Sequence, residues 1–319
     1  MESYVYKIIG IEEVGREFPF RTRYRLSDER LKESVARYGI RNPLVVTCDR
    51  VLVAGHKRLI AAGAGEIRKI PVLELPARPA PKKDLFFLAL FSNWDRFASE
   101  IDKAWSIRRA KQDFLLDEET ILQEILPILG LAPERGIYER YLKIAGLQPD
   151  LLDLAAAGEL PFRGVQALLR FSAADQDIFA CAIARKAALT ANQLLQVSEW
   201  LSDLLKMNRT DLKSYLKNTE LEKFLEHPSP DRRGKAEHFY QAVRALRFPQ
   251  LAEREKKFEI SLRRIEGRFE DLSVRAPSAF EEEGITLSAK VRNPESLARL
   301  VSKMQSQYPL FHSLFDVLG

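Results

Sequence analysis

The chain has 319 residues, of which 46% are hydrophobic and 30% charged, and its formal net charge is +5. This length predicts two or three domains, and the hydrophobic share excludes a disordered chain. No apolar run is long enough to span a bilayer and no secretory signal is visible, so we expect a cytoplasmic protein without membrane contact. Cys48 and Cys181 lie far apart, which argues against disulfides or a zinc site. The mild positive charge favours a nucleic-acid or nucleotide partner.

Residues 1–80 predict a small mixed α/β domain. Strands are expected at 4–11, 43–47, 51–54 and 70–75, and the second and third strands should form a hairpin. Pro71 lacks a backbone donor and places the last strand at a sheet edge or at its own start. Ser27 is expected to cap a helix that ends at Gly39, and a second helix follows Gly55.

Residues 81–226 predict an all-α domain of short helices packed as a bundle. The pattern includes a helix-turn-helix, with Gly130 at the turn and Pro133 as the first residue of the second helix, 134–144. Pro127 falls inside the first helix, where we expect a kink. Short helical hairpins are common, so this pattern alone does not distinguish a DNA reader from an ordinary hairpin. The residues expected on the exposed face of the second helix, and therefore at DNA, are Arg135, Tyr138, Glu139, Arg140 and Lys143.

Residues 231–319 predict a small helical or α+β module whose role the sequence does not define. Its first part is dense in arginine and lysine, but acidic residues alternate with them, which favours a solvated helix face over a DNA-binding tail. Residues 285–291 alternate like a strand, and Asn293 is expected to start a helix. The fold class predicted for the whole chain is therefore α+β.

Two short segments carry the chemistry. Gly55-His56-Lys57-Arg58 follows an apolar strand and opens a helix, where unpaired backbone N–H groups and the positive end of the helix dipole favour an anion. Cations in a first helical turn oppose the dipole, and a bound phosphate would relieve that penalty. Ser92-Asn93-Trp94-Asp95-Arg96 offers an amide oxygen for Mg²⁺ and a guanidinium for phosphate, although a helix-capping loop would have a similar sequence.

The order of these parts resembles the ParB family of DNA-partition proteins, from about residue 20 to about residue 184. The resemblance implies a ParB/sulfiredoxin-like N-terminal domain that binds CTP and Mg²⁺, and a dimeric, nucleoid-associated clamp that closes around DNA. It also implies a partition ATPase as a partner. Asn93 would hold Mg²⁺. The residues that would hold the nucleotide are Arg23, Gly39, Asn42, Gly55, His56, Lys57, Arg58 and Arg96.

The departures from the family pattern matter for activity. His56, Lys57 and Ile60 replace acidic or basic residues of the phosphate box, and Ser92 replaces the glutamate linked to hydrolysis. We therefore expect nucleotide binding with weak or absent CTPase activity. Two alternatives remain open: a sequence-specific DNA-binding regulator with a decayed nucleotide site, and a serine-type kinase. In the kinase, the Gly-His-x-Arg loop would supply His56, which would polarise phosphate or act as a base, and Glu29 or Glu33 would act as a carboxylate base.

Overall fold

A computed structural model describes residues 4–65, 67–76, 80–93, 99–226, 231–269, 272–275 and 284–318. Within these ranges the chain forms a four-stranded sheet, a long series of helices and a second, two-stranded sheet. The predicted mixed α+β class is confirmed. None of the described helices is long and apolar enough to cross a membrane.

The N-terminal sheet has the order β1-β4-β2-β3. Strand β1 pairs antiparallel with β4, β4 pairs parallel with β2, and β2 and β3 form the predicted antiparallel hairpin. The strands are β1 Val5–Gly10, β2 Leu44–Val46, β3 Leu52–Ala54 and β4 Lys69–Glu74.

The placement of Pro71 at an edge or a strand start was wrong, because β4 lies between two other strands and Pro71 is its third residue. Pro71 stands opposite Ile8 of β1, and pairing with β2 begins one residue later, at Val72. The missing N–H therefore falls outside the stretch of β4 that pairs with β2, and the sheet tolerates the proline.

Helix α1 spans Glu29–Tyr38 and α2 spans His56–Ala64. The N-cap of α1 is Asp28 rather than the predicted Ser27, because the Asp28 carboxylate accepts the Leu31 N–H while the Ser27 hydroxyl donates to Glu29. Gly39 ends α1 as predicted, with φ of 69° and its N–H bonded to the Val35 carbonyl. Both helices pack on one face of the sheet, and their buried side chains join Leu44, Val46, Ile70 and Val72 in one core.

The middle of the chain is helical. Its first elements are α3 Lys82–Phe91, α4 Glu100–Gln112, α5 Glu118–Thr120, a π-helical turn Ile121–Ile125, α6 Leu126–Ile128, α7 Arg135–Ala145 and α8 Pro149–Ala156. They are followed by α9 Phe162–Val165, a 3₁₀ turn Gln166–Arg170, α10 Ala173–Ile178, a second π-helical turn Phe179–Ala184, α11 Ala191–Asn208, α12 Leu212–Asn218 and α13 Glu222–Glu226.

The predicted helical hairpin is present, with two differences. The first helix runs from α5 through a π turn into α6, and the Leu126 N–H bonds to the Ile121 carbonyl, five residues back. This wider turn directly precedes Pro127, so the kink expected there takes the form of a π turn. The second helix, α7, starts at Arg135 with Glu134 as its N-cap, so Pro133 precedes the helix instead of opening it.

The apolar core of the middle helices continues beyond residue 226. Helix α14, Arg232–Arg247, packs on α11 and adds Ala236, Phe239 and Val243 to that core. A separate small core lies in the C-terminal part, formed by α15 Pro249–Glu266, β5 Leu272–Arg275, α16 Pro294–Ser306 and α17 Tyr308–Leu318. Strand β6 Thr286–Ala289 pairs with β5 and its residues are exposed. The predicted strand and the helix start at Asn293 are both confirmed.

Candidate functional site

A cavity of about 580 Å³ opens beside the N-terminus of α2. Five parts of the chain form its walls: α1 with the turn that follows it, the first turn of α2, residues 22–23, Asn93 after α3, and the start of α4 at Ser99 and Asp102. Four cations, Arg23, Arg41, Lys57 and Arg58, and two carboxylates, Asp28 and Asp102, line this space. The balance of charge favours an anionic ligand.

Gly55 makes the sharp entry into α2. Its φ of 104° lies in the left-handed region, which residues with a Cβ atom rarely adopt. A Cβ added at Gly55 would also stand 2.9 Å from Leu44 Cγ. No side chain caps this end of α2, so its first backbone N–H groups are directed out of the helix toward the cavity. The residue type and the backbone here are those of an anion-binding helix N-terminus.

The two cations of the loop have different surroundings. Arg58 Nη1 donates to the carbonyl oxygens of Asn42 and Pro43, at 2.8 Å for Pro43, and so ties the turn before β2 to α2. Lys57 Nζ lies 3.3 Å from Asp28 Oδ2, the carboxylate that also caps α1. Arg58 therefore shapes the wall, while Lys57 is held by a single, partly exposed carboxylate with which a phosphate would compete.

Helix α4 holds the opposite wall with three side chains on one stripe. Asp102, which is buried, accepts Arg23 Nη1 and the Tyr24 N–H, each at 2.8 Å. Ser106 donates to the Thr22 carbonyl, and Arg109 donates to two carbonyl oxygens of the same segment. This stripe fixes the backbone at residues 19–24 and directs Arg23 into the cavity wall.

His56 is buried at the start of α2, with only 6% of its surface exposed. Its ring packs edge-on against Phe18 at 5.3 Å, and its Nε2 has no hydrogen-bond partner among the described residues. Burial, followed by the positive charges of Arg21, Arg109 and Arg58, lowers the pKa of His56 to about 3. The imidazole is therefore neutral at physiological pH and too weakly basic to serve as a general base.

Asn93 lines the cavity at the end of α3. Its amide nitrogen donates to the Ala89 carbonyl at 2.8 Å and reaches Thr22 Oγ1 at 3.5 Å. This arrangement leaves its amide oxygen for a ligand. Ser92, its neighbour, donates to the Leu88 carbonyl and does not line the cavity. Arg96 lies outside the described residues.

The cavity brings together eight of the residues predicted from the sequence: Arg23, Gly39, Asn42, Gly55, His56, Lys57, Arg58 and Asn93. Sequence reasoning missed several polar residues that share this lining, namely Thr22, Asp28, Ser34, Ser99 and Asp102. Arg41, which lies between the predicted residues Gly39 and Asn42, also lines the cavity, and a signal existed for Asp28, which caps α1. Thr22, Ser99 and Asp102 carry no local signal, because only the packing of α4 on residues 19–24 brings them here.

Helix α7 exposes Arg135, Glu139, Arg140 and Lys143, but Tyr138 is only 3% exposed. The expectation that Tyr138 is exposed was wrong, because it shares the stripe of Tyr141 and Ala145, which are buried with it in the core that includes α4. Arg135 is paired with Glu118 and Glu139, at 3.5 and 3.0 Å. Arg140 lies over the Tyr141 ring, and neither Arg140 nor Lys143 forms an ion pair within the described chain.

The described residues hold no group of three or more His, Cys, Asp or Glu side chains arranged for a metal ion. A metal in this cavity would therefore rest mainly on the oxygen atoms of an anionic ligand, with Asn93 as one protein donor. That is the usual arrangement for Mg²⁺ bound with phosphates, and the residues present fit it.

The chain is similar in structure to ParB chromosome-partitioning proteins, while no protein-family model and no curated protein matches it. A C-terminally truncated Caulobacter crescentus ParB complexed to the centromeric parS site is 18% identical over 60% of this chain and 98% of that one, with a TM-score of 0.35. The same protein complexed with CTP-γ-S is 19% identical over 55% and 97%, with a TM-score of 0.25. A Pnob8-like ParB-N domain is 16% identical over 76% and 96%, with a TM-score of 0.37. Similarity of this degree concerns the fold and does not extend to what the chain binds.

Proposed function

We propose that this chain is a ParB-like DNA-binding partition protein that binds a cytidine triphosphate with Mg²⁺ in the cavity beside Gly55. The observation that carries the proposal is the convergence of an uncapped helix N-terminus with four cations on one cavity of about 580 Å³. A triphosphate matches this convergence because it spreads several negative charges over a short chain. The preference for cytidine follows from the resemblance of the motif order to the ParB family.

The phosphates would lie against the first turn of α2. The backbone N–H groups there and Lys57 Nζ would bind phosphate oxygen atoms, while Arg58 keeps the turn at Asn42 and Pro43 in place. Asn93 would offer its amide oxygen to the Mg²⁺, which neutralises phosphate charge when it is bound. Arg96 is proposed as a further phosphate contact on the strength of the resemblance.

We infer weak or absent hydrolysis from the carboxylates of the site. Asp102 is engaged by Arg23 and the Tyr24 N–H, and Asp28 accepts the Leu31 N–H as the N-cap of α1, so neither is placed to activate water. Ser92, which stands where the family has a glutamate, bonds to its own helix. The nucleotide would then act as a ligand that gates a dimeric clamp more than as a substrate.

The kinase alternative is disfavoured by His56, whose pKa of about 3 leaves it without basicity at neutral pH. Glu29 and Glu33, the other candidate bases, do not line the cavity. A regulator with a decayed site would still bind DNA through α7 but would not bind a nucleotide. Binding experiments therefore separate these functions.

For DNA, we propose that the exposed face of α7 enters the major groove. Arg140 and Lys143 have no carboxylate partner among the described residues and are available to phosphates or base edges. Lys143→Ala should weaken duplex binding and flatten its salt dependence, and Lys217→Ala on the exposed side of α12 serves as the control. If binding of the duplex by the wild type does not change with salt concentration, α7 is not the DNA-binding helix.

The nucleotide site is tested by calorimetric titration of CTP and of ATP with Mg²⁺, with and without duplex DNA. Lys57→Ala should raise the Kd for CTP by tenfold or more, since a charge-assisted hydrogen bond contributes about 1.5–3 kcal/mol. Lys32→Ala is a matched control. Both lysine side chains are 32% exposed and each pairs with one carboxylate at the start of α1, but Lys32 does not line the cavity.

Each titration outcome favours one function. Selective binding of CTP supports the proposal, and equal affinity in the Lys57 and Lys32 variants would contradict the phosphate site. A preference for ATP, with ADP released in the presence of serine, would establish the kinase. If the chain binds DNA but neither CTP nor ATP, the remaining function is that of a DNA-binding regulator with a decayed nucleotide site.

A further inference from the structure

A second cavity, of about 630 Å³, lies between the C-terminal half of α4 and the turn from α7 to α8. We call it the Trp105 groove, after the indole at its base. The polar and aromatic side chains that line it are Tyr24, Trp105, Arg108, Lys111, Gln112 and Gln148. Its lining contains two cations and no carboxylate.

Neither of the two cations of the groove forms an ion pair within the described residues. Arg108 donates to the Ala145 carbonyl at 2.9 Å and to Gln112 Oε1 at 2.8 Å, and no carboxylate of the described chain reaches it. Lys111 Nζ lies 5.6 Å from the centre of the Tyr138 ring, again without a carboxylate among the described residues. Two like charges one helical turn apart repel each other, and an anion between them would remove that cost.

The groove runs along α7. Arg108 touches Ala145, the last residue of α7, and Lys111 lies over Tyr138, two turns earlier. The cations therefore stand beside the helix proposed to enter the major groove. Arg135 of α7 is paired with Glu118 and Glu139, whereas Arg108 and Lys111 form no ion pair within the described residues.

Trp105 itself supports the cations. The guanidinium carbons of Arg21 and Arg108 lie 5.1 and 5.8 Å from its ring centre, and Tyr24 packs edge-on at 5.3 Å. A ring engaged in this way offers little area for stacking a nucleotide base, as a single-strand binding surface requires. Its contacts hold Arg108 in a defined position, which suits a phosphate of a duplex backbone.

We propose that the Trp105 groove binds the sugar–phosphate backbone of duplex DNA, with Lys111 and Arg108 each contacting a phosphate. Gln112 and Gln148 add amide donors to the same backbone. The groove fixes the position of the duplex on α7 and reads no sequence. This inference rests on the proposed DNA-binding function.

The test measures fluorescence anisotropy of a short mixed-sequence duplex with the full chain over a range of salt concentrations. Lys111→Gln should weaken binding several-fold and lower the slope of log K against log salt by about 0.9, the value for one phosphate contact. The loss should be equal for a second duplex of different sequence. Arg108→Ala should act similarly, and Lys217→Gln should match the wild type.

The outcomes separate this inference from the function it rests on. If the wild type binds no duplex at low salt, the DNA-binding function itself fails. If it binds, and Lys111→Gln keeps the wild-type slope, the groove is not a phosphate site and a protein partner becomes the alternative occupant. Lys111 is exposed, so its substitution should leave the melting temperature unchanged and the result readable even if Arg108→Ala unfolds.

Discussion

Acid should destabilise this protein through His56. The unfolded chain has a histidine with an ordinary pKa near 6.5, whereas burial and three neighbouring arginines lower the folded pKa to about 3. Between these values the unfolded state binds the proton and the folded state does not. The stabilising contribution of neutral His56 is therefore fully present above pH 6.5 and is lost as the pH falls toward 3.

The size of the effect follows from the shift. Each pH unit below 6.5 costs about 1.36 kcal/mol, so His56 accounts for a loss of about 2 kcal/mol between pH 7 and pH 5. His56→Gln keeps a similar volume and removes the titration. The free energy of unfolding of the wild type, measured by urea denaturation, should fall by about 2 kcal/mol more over this range than that of the variant.

Other carboxylates and histidines titrate in both proteins, so the difference between the two curves isolates His56. His238→Gln, at an exposed position on α14, is the control and should follow the wild type. Equal losses of stability in the wild type and in His56→Gln would refute the assignment of a neutral, buried imidazole. A lower stability of the variant at pH 7 alone would not refute it, because the test compares how the free energy of unfolding changes with pH in the two proteins.

Two further predictions concern the same cavity. Asp28→Asn should raise CTP affinity by up to about fivefold in calorimetry, because an exposed ion pair contributes up to about 1 kcal/mol and its removal releases Lys57. Asparagine at this position still caps α1. The control Glu29→Gln removes the adjacent charge outside the cavity lining and should have a smaller effect; equal effects would show that only net charge matters. Gly55→Ala should lower the free energy of unfolding, measured by urea denaturation, by about 1–3 kcal/mol, because alanine disfavours a φ of 104°. The control Gly63→Ala, which has open space around it inside α2, should raise that free energy by up to about 1 kcal/mol. Similar results at both glycines would contradict the strained turn at Gly55.

Much of the local structure could be predicted because its signals are local. Gly39 and Gly55 mark the end of one helix and the start of another, and both adopt the backbone angles that favour glycine. Alternation along residues 285–291 predicted the strand that is β6, and Asn293 predicted a helix start. One error, the choice of the cap of α1, is also local in kind. Ser27 and Asp28 are both good caps, and the choice between them depends on which side chain reaches the Leu31 N–H.

The candidate site shows which of its features follow from local sequence and which follow only from tertiary contacts. The sequence by itself determined the end of α1 at Gly39 and the start of α2 after Gly55, because each needs only neighbouring residues. Only the tertiary structure decided that Asp102 of α4 holds Arg23 and that Tyr138 is buried, because these contacts join residues far apart in the chain. Periodicity cannot say which neighbour a helix face meets, and burial together with nearby positive charges decides the protonation of His56.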